Sequence, residues 1–568
     1  MHPQDPRHQA RRTTEREPRS AMAWIVLSDV ELDAGDAQAG RAAAERALTL
    51  APGHPEALAR LGRAHWMQGD LEAAATYLRA AARNAPQHPG IAVWLGHVLE
   101  DVGEAEAASE AYAHAHALEP NEPLIAAYLL AWRRRLCDWR DLDALSQQVR
   151  DAVRRELASV EPFAFLSEDS TPAEQLQCAR LRAHMLASAV RPLPPAAAQT
   201  GGNLRIGFLS NGFGAHPTGL LVVAFLEALS AHAEVETHLF ALNEDDGSEI
   251  RQRLHTAAHA LHDVAQVPHE QVATAIRSAG IELLFDLRGW GGGGVPEVLA
   301  MRPAPLQVNW LAYPGTSGAP WIDYVLADAF VLRQSLAPHF SETVLRLPRC
   351  FQPSDTTRAI ALPRSRDAYG LPALGVVYCC FNNSYKLNPA SFDRAMQVLT
   401  QVDGSVLWLM SGPGHSDDRL RDAARNAGVD PSRLVFMTKQ PQHEYLSRLQ
   451  RADLFLDTNP YNAHTTASDA LWAGCPVLTK PGDTFAARVA GSLNHHLGLD
   501  EMNVEDDARF IELAVALGRD PARLQALRGR LRAAKATSGL FDMPAFAGDF
   551  AAMAKALVDR HRQKSQTL

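Results

Sequence analysis

Two patterns of apolar positions divide the chain. In roughly its first third, up to about Ala189, apolar residues recur at helical spacing, as in "LEAAATYLRAAARNAP", where Leu71, Ala75 and Leu78 share one face. From Leu204 onward, short continuous apolar runs alternate with helical stretches. Such runs indicate strands buried on both faces, and their alternation with helices predicts parallel sheets. The sequence therefore predicts an all-α region followed by an α/β region.

A period of 34 residues runs through the helical region. It is marked by two sets of residues, Gly35-Asp36, Gly69-Asp70 and Gly103-Glu104, and Pro52, Pro86 and Pro120. Alanines let two helices approach closely, glycine turns the chain and proline ends each second helix. The period resembles that of tetratricopeptide repeats, about three of them, which stack into a superhelix whose concave face holds peptides or proteins. An unrelated helical bundle is the alternative.

The α/β region contains two series of predicted strands. They are "LRIGFLS", "VETHLFAL", "IELLFDLRG", "LQVNWLAYPG" and "YVLAD", then "GVVYCCFN", "SVLWLMSG", "RLVFMT", "LFLDT" and "PVLTKPG". Two parallel sheets in series predict two Rossmann-like domains that face a cleft. Ligands of such sheets bind at the carboxyl ends of the strands, so the loops after these runs are the candidate sites.

These patterns predict five segments. They are a disordered tail (1–20), helical repeats with junction helices (21–190), a first Rossmann-like half (201–350), a second half (370–540) and a C-terminal helix (541–568). The stretch "RPLPPAAAQTGGN" between the repeats and the first half has the composition of a linker.

Composition and charge exclude several classes of function. The net charge of −10 argues against a nucleic-acid partner, and no apolar run approaches the ~20 residues that span a membrane. The first twenty residues lack the apolar stretch of a secretory signal. None of the six cysteines forms a C-x-x-C pair, which favours buried thiols in a reducing compartment. The predicted location is the cytoplasm.

One strand-loop-helix segment, "DTNPYNAHTTASDALWAGCPVLT", indicates an anion site. Its helix begins near His464–Thr466, and a helix N-terminus offers free N–H donors to a phosphate. Thr465 and Thr466 add hydroxyl donors, His464 can donate to phosphate oxygens, and Asp469 can accept from ribose hydroxyls. The alternative is that Thr465 or Thr466 caps the helix, with Asp469 as the acidic partner of a capping box.

Two further loops carry candidate residues. "CCFNNSYKLNP" places Asn383 and Lys386 between a strand and a helix that begins near Pro389, where a lysine can neutralise a diphosphate. Only six of the 55 basic residues are lysines, which singles Lys386 out. "LSNGFGAHPTGLL" places His216 after the first strand; it can take up a proton near neutral pH or cap the next helix.

The glycines of "RGWGGGGVPE" match a dinucleotide fingerprint only formally. Gly289, Gly291 and Gly294 have the G-x-G-x-x-G spacing. No acidic residue follows about twenty residues later, and the strand-to-helix context is poor. A nicotinamide site is therefore not predicted here.

Taken together, these motifs resemble the protein O-linked N-acetylglucosamine transferases, which join tetratricopeptide repeats to a GT-B glycosyltransferase. The matching stretches are "LCDWRDLD", "HPTGLL", "RPAPLQVNWLAYPGTSGAPWIDYVLAD", "FNNSYKLNP" and "HTTASDALWAGCPVLTKPGDTFAARVA". The resemblance implies an inverting transfer of N-acetylglucosamine from UDP-GlcNAc to serine or threonine hydroxyls of proteins, without a metal or other cofactor. The chain lacks the long insertion that animal members carry between the catalytic halves.

The resemblance also implies roles for individual residues. It assigns the diphosphate to Lys386 with Asn383 close by, phosphate and uridine contacts to His464, Thr465 and Thr466, ribose to Asp469, the nucleoside loop to Gln440, Gln442 and Tyr445, the sugar to the backbone of Pro314, Gly315 and Thr316, and two family histidines to His216 and His259. Gln442 and Tyr445 depart from the lysine and histidine of the family.

The expected mechanism leaves one role and two other functions open. His216 is nominated as the base, or it orients acceptor or sugar while a donor phosphate oxygen takes the proton. Lys386, Thr465, Thr466 and the helix end meet the charge of the leaving diphosphate. The alternatives in function are a protein O-fucosyltransferase that uses GDP-fucose and a non-catalytic nucleotide-binding scaffold.

Overall fold

The computed structural model of the chain describes residues 5–195 and 201–567. It contains two compact units, one of Met1–Val149 with Gly412–Arg419 and one of Arg150–Ser411 with Leu420–Leu568. The first four residues of the predicted tail and residues 196–200 of the predicted linker lie outside the described ranges. The boundaries of the five predicted segments remain predictions, because the division into two units does not test them.

Helices of the first unit pack against their neighbours along the chain. They are α1 (Pro6–Arg16), α2 (Ala21–Asp33), α3 (Ala37–Leu50), α4 (Pro55–Met67), α5 (Leu71–Asn84), α6 (Pro89–Val102), α7 (Ala105–Leu118) and α8 (Pro123–Arg135). Gly35, Gly69 and Gly103 turn the chain at φ values of 81°, 79° and 87°, which glycine adopts without strain. Asp36 and Asp70 then cap the helices that follow. The predicted repeat is thus a helix pair with a glycine turn.

The prediction of a disordered tail is wrong for the residues that the structure describes. Pro6–Arg16 form α1, which Asp5 caps and which packs against α2. Arg7 and Arg11 pair with the buried carboxylate of Glu31 at 2.5 and 2.7 Å. A carboxylate buried in this way requires such partners. Contacts with α2 therefore hold a helix that has no wide apolar face of its own.

A junction helix that includes Val149 and Arg150 crosses from the first unit into the second, which continues with two further junction helices and a seven-stranded sheet. Their bounds are α9 (Leu142–Arg154), α10 (Pro162–Phe165), α11 (Pro172–Ala189), β1 (Leu204–Ser210), α12 (Pro217–Leu229), β2 (Val235–Ala241), α13 (Glu249–Ala257), β3 (Ala260–Asp263), α14 (His269–Ser278), β4 (Leu283–Asp286), α15 (Pro296–Ala300), β5 (Leu306–Asn309), β6 (Tyr324–Asp328) and β7 (Thr343–Leu347). The strands are parallel in the order β3-β2-β1-β4-β5-β6-β7. Five of them were predicted; β3 and β7 were not.

A five-stranded parallel sheet follows. Its elements are β8 (Val377–Cys380), α16 (Pro389–Gln401), β9 (Val406–Met410), α17 (Ser416–Asn426), β10 (Leu434–Met437), α18 (Gln442–Leu449), β11 (Leu454–Leu456), α19 (Thr465–Ala473), β12 (Val477–Leu478) and α20 (Val489–His496). The strand order is β10-β9-β8-β11-β12. The predicted fold class, two Rossmann-like halves after helical repeats, is confirmed.

Three helices complete the second unit. They are α21 (Asp507–Arg519), α22 (Pro521–Thr537) and α23 (Met543–Thr567). α23 packs against α12 of the first half. Its Phe550 lies 4.8 Å from the ring of Phe225 and 5.0 Å from that of Phe285, measured between centroids. The aromatic core of the first half therefore includes residues that follow the second half in sequence.

The cysteines agree with a further expectation. All six cysteines are free and buried, as the sequence predicts. Burial raises the pKa of the Cys380 thiol to about 12, so this group stays protonated at neutral pH. Within the described ranges, no helix combines the length and the apolar character needed to cross a membrane.

Candidate functional site

Each sheet has a point where the strand order reverses, and both points carry predicted residues. In the second sheet the reversal lies between β8 and β11, and in the first it lies between β1 and β4. Adjacent loops diverge at such a point and leave a crevice at the carboxyl edge of the sheet. Lys386 and His464 follow β8 and β11, whereas His216 follows β1. The strand order thus explains why the loops of Lys386 and His464 lie together, and it places His216 at the equivalent point of the first sheet.

Lys386 contacts the loop that leads into α19. It ends a short 3-10 turn, where its backbone N–H donates to the Asn383 carbonyl at 3.0 Å. Its side chain is 7% exposed, and its ammonium donates to the Asn462 carbonyl at 2.8 Å. The same ammonium lies 3.9 Å from the centre of the Tyr461 ring, a cation–π contact. The two loops singled out in the sequence therefore meet at this lysine, while Asn383 itself is exposed.

Burial sets the charge of Lys386. It lowers the pKa of the ammonium to about 7, and the nearby Asp457 carboxylate only partly opposes this effect. An anion placed beside the group would favour the protonated form and raise the pKa again. Lys386 is therefore a cation whose charge becomes fully established when an anion binds.

The N-terminus of α19 is open to a ligand. The helix begins at Thr465 with His464 at the N-cap position, and the His464 side chain makes no capping bond to it. The first amides of a helix have no partner inside the helix. The capping-box alternative is wrong, because Asp469 could be its acidic partner only with Thr466 as the N-cap, and the helix starts two residues too early for that. Asp469 accordingly lies in the second turn, where Arg358 and Gln442 donate to its carboxylate.

His464 holds this loop in place and is not arranged to donate to a phosphate. Its Nε2 lies 3.0 Å from the Ala486 carbonyl, which can only accept, so Nε2 carries the proton. Burial and the charge of Lys386 lower the pKa of the ring well below its usual value. The neutral ring has no second N–H to offer. The predicted donor role of His464 is therefore not supported by the structure.

Asp457, which the sequence analysis did not single out, closes the loop before α19. Its carboxylate accepts from the amides of Thr458 and Ala463 at 2.8 and 2.7 Å and from the Thr479 hydroxyl at 2.6 Å. Burial raises its pKa to about 6 in spite of these donors. An aspartate directly after a buried strand, in "LFLDT", was the available signal. Asp457 thus fixes the loop that holds the carbonyl partner of Lys386.

The predicted nucleoside residues differ in their contacts. Gln442 donates from Nε2 to its Oδ1 at 3.3 Å. Tyr445 is buried, with its ring 5.8 Å from that of Phe381, so it packs under the site and is not open to stack on a base. Gln440 bonds within its own loop and accepts from Arg448 at 3.0 Å. The structure brings Gln442 and Asp469 together as expected and moves Tyr445 into a packing role.

His216 caps a helix and is protonated at the wrong nitrogen for a base. Its Nδ1 accepts from the Thr218 amide at 3.1 Å, which makes it the N-cap of α12. Burial, with the charges of Arg288 and Lys439, lowers the pKa of the ring to about 4. The neutral ring therefore carries its proton on Nε2 and has no free lone pair. Of the two roles predicted for His216, the geometry favours orientation and argues against the base.

The sequence analysis did not single out two cations near His216. Arg288 follows β4, at the switch point of the first sheet, and its Nε is buried without a hydrogen-bond partner among the described residues. Lys439 follows β10 in the second half and acts on His216 electrostatically. Arg288 stands two residues after the run "LLFD", whereas Lys439 had only the scarcity of lysine as a signal. Burial is the main cause of the lowered pKa of His216, and the charges of both cations act in the same direction.

The loop Pro314–Thr316 is folded onto its own half. All three residues are buried. The Thr316 hydroxyl donates to Glu342 at 2.5 Å, and the Gly315 carbonyl accepts from Asn309 at 2.9 Å. These groups are therefore already paired, and contact of this backbone with a sugar remains a prediction.

His259 lies apart from the other candidates. It is exposed and precedes β3, where its backbone N–H donates to the Thr237 carbonyl at 2.9 Å. The entry of β3 is at the opposite end of the strand from the carboxyl edge that carries the switch point. The assignment of His259 to the catalytic site is therefore not supported, because β3 separates it from that edge.

Two groups of side chains in the described ranges have the composition of metal ligands, and neither includes a residue of the Lys386 site. They are Glu236 with His238 and His259, and Asp328 with Cys350 and His496. Arg205 already donates to Glu236 at 2.9 Å, and Ser492 to Asp328 at 2.6 Å. Neither group therefore bears on the chemistry at Lys386.

Comparison with protein families gives two matches. The model of glycosyl transferase family 41 matches residues 136–362 and 354–550, which include both sheets. A tetratricopeptide repeat model matches residues 3–55 and 26–89. The second match reaches into the stretch predicted as a tail, in agreement with α1.

Individual relatives are similar over most of this chain. A probable UDP-N-acetylglucosamine–peptide N-acetylglucosaminyltransferase of Arabidopsis thaliana is 35% identical over 72% of this chain and 44% of its own length. A UDP-N-acetylglucosamine–peptide N-acetylglucosaminyltransferase of Caenorhabditis elegans is 27% identical over 73% of this chain and 47% of its own. The chain thus spans less than half the length of these relatives. A solved structure of a Thermobaculum terrenum O-GlcNAc transferase mutant superimposes with a TM-score of 0.69 at 26% identity, over 96% of this chain and 98% of that one.

Proposed function

The chain belongs to glycosyl transferase family 41, and from this premise we propose that it transfers N-acetylglucosamine from UDP-N-acetylglucosamine to serine or threonine hydroxyls of proteins. One observation carries the proposal. A buried lysine with a pKa of about 7 contacts the loop that leads into an uncapped helix N-terminus at a switch point. This combination fits a diphosphate that gains negative charge as it leaves.

The diphosphate binds between Lys386 and α19. Lys386 supplies a full charge, the first amides of α19 supply donors, and Thr465 and Thr466 add hydroxyls at the same end. The first residues of α19 and Lys386 belong to two loops already joined by the bond to Asn462. We propose that these groups balance the leaving charge without a metal ion. Nothing else in the reaction requires a cofactor.

The acceptor hydroxyl attacks the anomeric carbon of the sugar from the side of the first half. The bond from the acceptor oxygen to the carbon forms as the bond from the carbon to the diphosphate breaks. His216 donates its Nε2–H to the sugar or acceptor, and a phosphate oxygen of the donor takes the hydroxyl proton. This assignment follows from the use of the His216 Nδ1 lone pair by the Thr218 amide.

The nucleoside binds beside Asp469 and Gln442, and the polypeptide acceptor binds along the helical repeats. The Asp469 carboxylate accepts from the ribose hydroxyls, and Gln440 and Gln442 lie on the loop that borders them. Peptide substrates are named for both relatives, and the repeats offer a surface of helix pairs for them. We place the protein in the cytoplasm, a location that six free buried thiols support.

Titration calorimetry and a transfer assay test the proposal together. The protein is titrated with UDP, GDP and UDP-N-acetylglucosamine, and transfer of labelled sugar to peptides is followed with and without EDTA. Selective binding of the uridine nucleotides and EDTA-resistant transfer are expected. Preference for GDP would favour a fucosyltransferase, nucleotide binding without transfer would favour a scaffold, and loss of transfer in EDTA with recovery in Mg²⁺ would contradict metal independence.

A further inference from the structure

Arg358 lies in the connection between the two sheets and is the cation partner of Asp469. It is 9% exposed and follows β7 by eleven residues. Its Nη1 donates to Asp469 Oδ1, its Nη2 to the Ser354 hydroxyl at 3.0 Å and its Nε to the Asp355 carbonyl at 2.9 Å. The guanidinium is therefore held on all three nitrogens, in one orientation.

The two oxygens of Asp469 are not equivalent. Arg358 and Gln442 both donate to Oδ1. Oδ2 accepts from no group within the part of the chain that the structure describes. Asp469 is itself 9% exposed, and an ionised carboxylate in such a place requires compensation. Arg358 provides it at one oxygen and leaves the other free to accept.

The position of Arg358 also depends on the first half. Asp355, whose carbonyl holds Arg358, is buried, and its carboxylate accepts from both terminal nitrogens of Arg253 at 2.9 and 3.2 Å. Arg253 belongs to α13. A continuous series of polar contacts thus runs from α13 through the connection to α19. Asp469 is placed by residues that lie more than a hundred positions earlier in the chain.

We propose that Arg358 is a positioning residue for the donor nucleotide: it holds Asp469 ionised and rotated so that Oδ2 accepts from the ribose hydroxyls. The inference rests on the proposed function, since it assumes that a ribose lies beside Asp469. Burial raises the pKa of Asp469, and Arg358 opposes that rise. Without Arg358, the carboxyl group would lose both its orientation and the charge that favours ionisation.

The test compares two nucleotides that differ only at the ribose. Binding of UDP and of 2′,3′-dideoxy-UDP is measured by calorimetry for the unmodified protein and for Arg358→Gln. The substitution should weaken the binding of UDP about tenfold or more, as expected for loss of a charge-assisted hydrogen bond. The affinity for dideoxy-UDP should change less than about twofold. In transfer assays the donor KM should rise by a similar factor while kcat changes little.

Three further variants complete the test. Arg358→Lys should restore part of the preference for the ribose hydroxyls, since it keeps a cation. Ser354→Ala, which removes one hydrogen bond from Arg358 and keeps the guanidinium, should show the same selective loss at smaller size even if Arg358→Gln folds poorly. Arg366→Gln is the matched control: Arg366 lies in the same connection and pairs with Asp453 at 2.7 Å, and its loss should leave both nucleotides unaffected.

The possible outcomes separate the inference from the proposed function. Equal weakening of UDP and dideoxy-UDP by Arg358→Gln, or by Ser354→Ala, would show a general structural role and overturn the inference alone. Unchanged UDP binding in both variants would overturn it as well. Failure of the unmodified protein to bind UDP would overturn the proposed function and this inference with it.

Discussion

Helices α12 and α19 both begin directly after a histidine, at the switch points of their respective sheets. The His216 ring turns toward its own helix and accepts from the Thr218 amide at 3.1 Å. The His464 ring turns away and bonds to the Ala486 carbonyl at 3.0 Å. One helix end is therefore closed by a side chain, and the other is left open for a ligand.

The difference shows that the backbone group next to a histidine ring determines which ring nitrogen carries the proton. A backbone N–H beside His216 fixes Nδ1 as an acceptor, and a carbonyl beside His464 fixes Nε2 as a donor. Both rings are neutral, because burial lowers the pKa of each. The same residue type at the same helical position thus closes one helix end and leaves the other without a cap from that side chain.

Replacement of Lys386 should have the largest effect. Lys386→Ala removes a buried positive charge beside the start of α19 and should reduce transfer by a factor of about 100 or more, as for other groups that stabilise a developing anion. Thermal melting should change little, because a buried ammonium costs solvation energy that the variant recovers. Lys555→Ala, on the exposed face of α23, is the control and should transfer normally. Normal turnover in Lys386→Ala would contradict the diphosphate site.

Substitution of His216 tests the contrast between the two histidines. Asparagine also caps helices well, so His216→Asn should melt normally yet transfer about 30-fold more slowly, since it lacks the directed Nε2–H. His216→Ala should lose activity and also about 1 kcal/mol of stability through the missing cap. The measurements are thermal denaturation and initial rates. Full activity in His216→Asn would mean that the residue serves only as a cap.

The pH dependence of donor binding should come third in size. The pKa of Lys386 is about 7 in the free protein, and a bound diphosphate raises it. Binding therefore takes up a proton above pH 7, and affinity should fall by up to about tenfold per pH unit as the pH rises from 7 to 9. UDP-N-acetylglucosamine is the suitable ligand, because its diphosphate has no proton to lose in this range. Calorimetry in buffers of different ionisation enthalpy measures the uptake, which Lys386→Met should abolish.

The threonine hydroxyls at the N-terminus of α19 should contribute least to UDP binding. Thr465→Val and Thr466→Val keep the backbone amides of α19 and remove one donor each, so each should weaken UDP about three- to tenfold. Thr400→Val, in an exposed turn of α16, is the control. If both variants bind UDP as the unmodified protein does, the amides and Lys386 hold the diphosphate without the side chains.

Much of the fold was accessible from local pattern. Ten strands lie where continuous apolar runs occur, and the 34-residue period predicted the helix pairs. The sequence analysis did not predict β3 ("ALHD") or β7 ("TVLRL"), because both strands are short and partly exposed and contain polar residues. The sequence analysis did not predict helix α1, because this helix is stabilised by ion pairs of two of its arginines with Glu31. Glu31 lies outside the helix, so the local sequence pattern does not show this contact.

The site was predictable as far as it depends on loops next to strands. Lys386 and the start of α19 met as expected, because the strand order brings their loops together. The protonated nitrogen of His216 and of His464 depends on one backbone group near each ring, which sequence does not show. The partner of Asp469 was likewise hidden, since Arg358 lies 111 residues away.

Because α23 packs against the first half, the core of that half can be completed only after the C-terminal helix has been synthesised. Phe546 and Phe550 fill the aromatic layer between α12 and β4, so that layer stays incomplete until residues beyond 543 have left the ribosome. The strands of the second half end at Leu478, and their pairing needs no residue of α23. A truncation before α23 would thus remove Phe546 and Phe550 and damage the first half, which lies far from the cut in sequence.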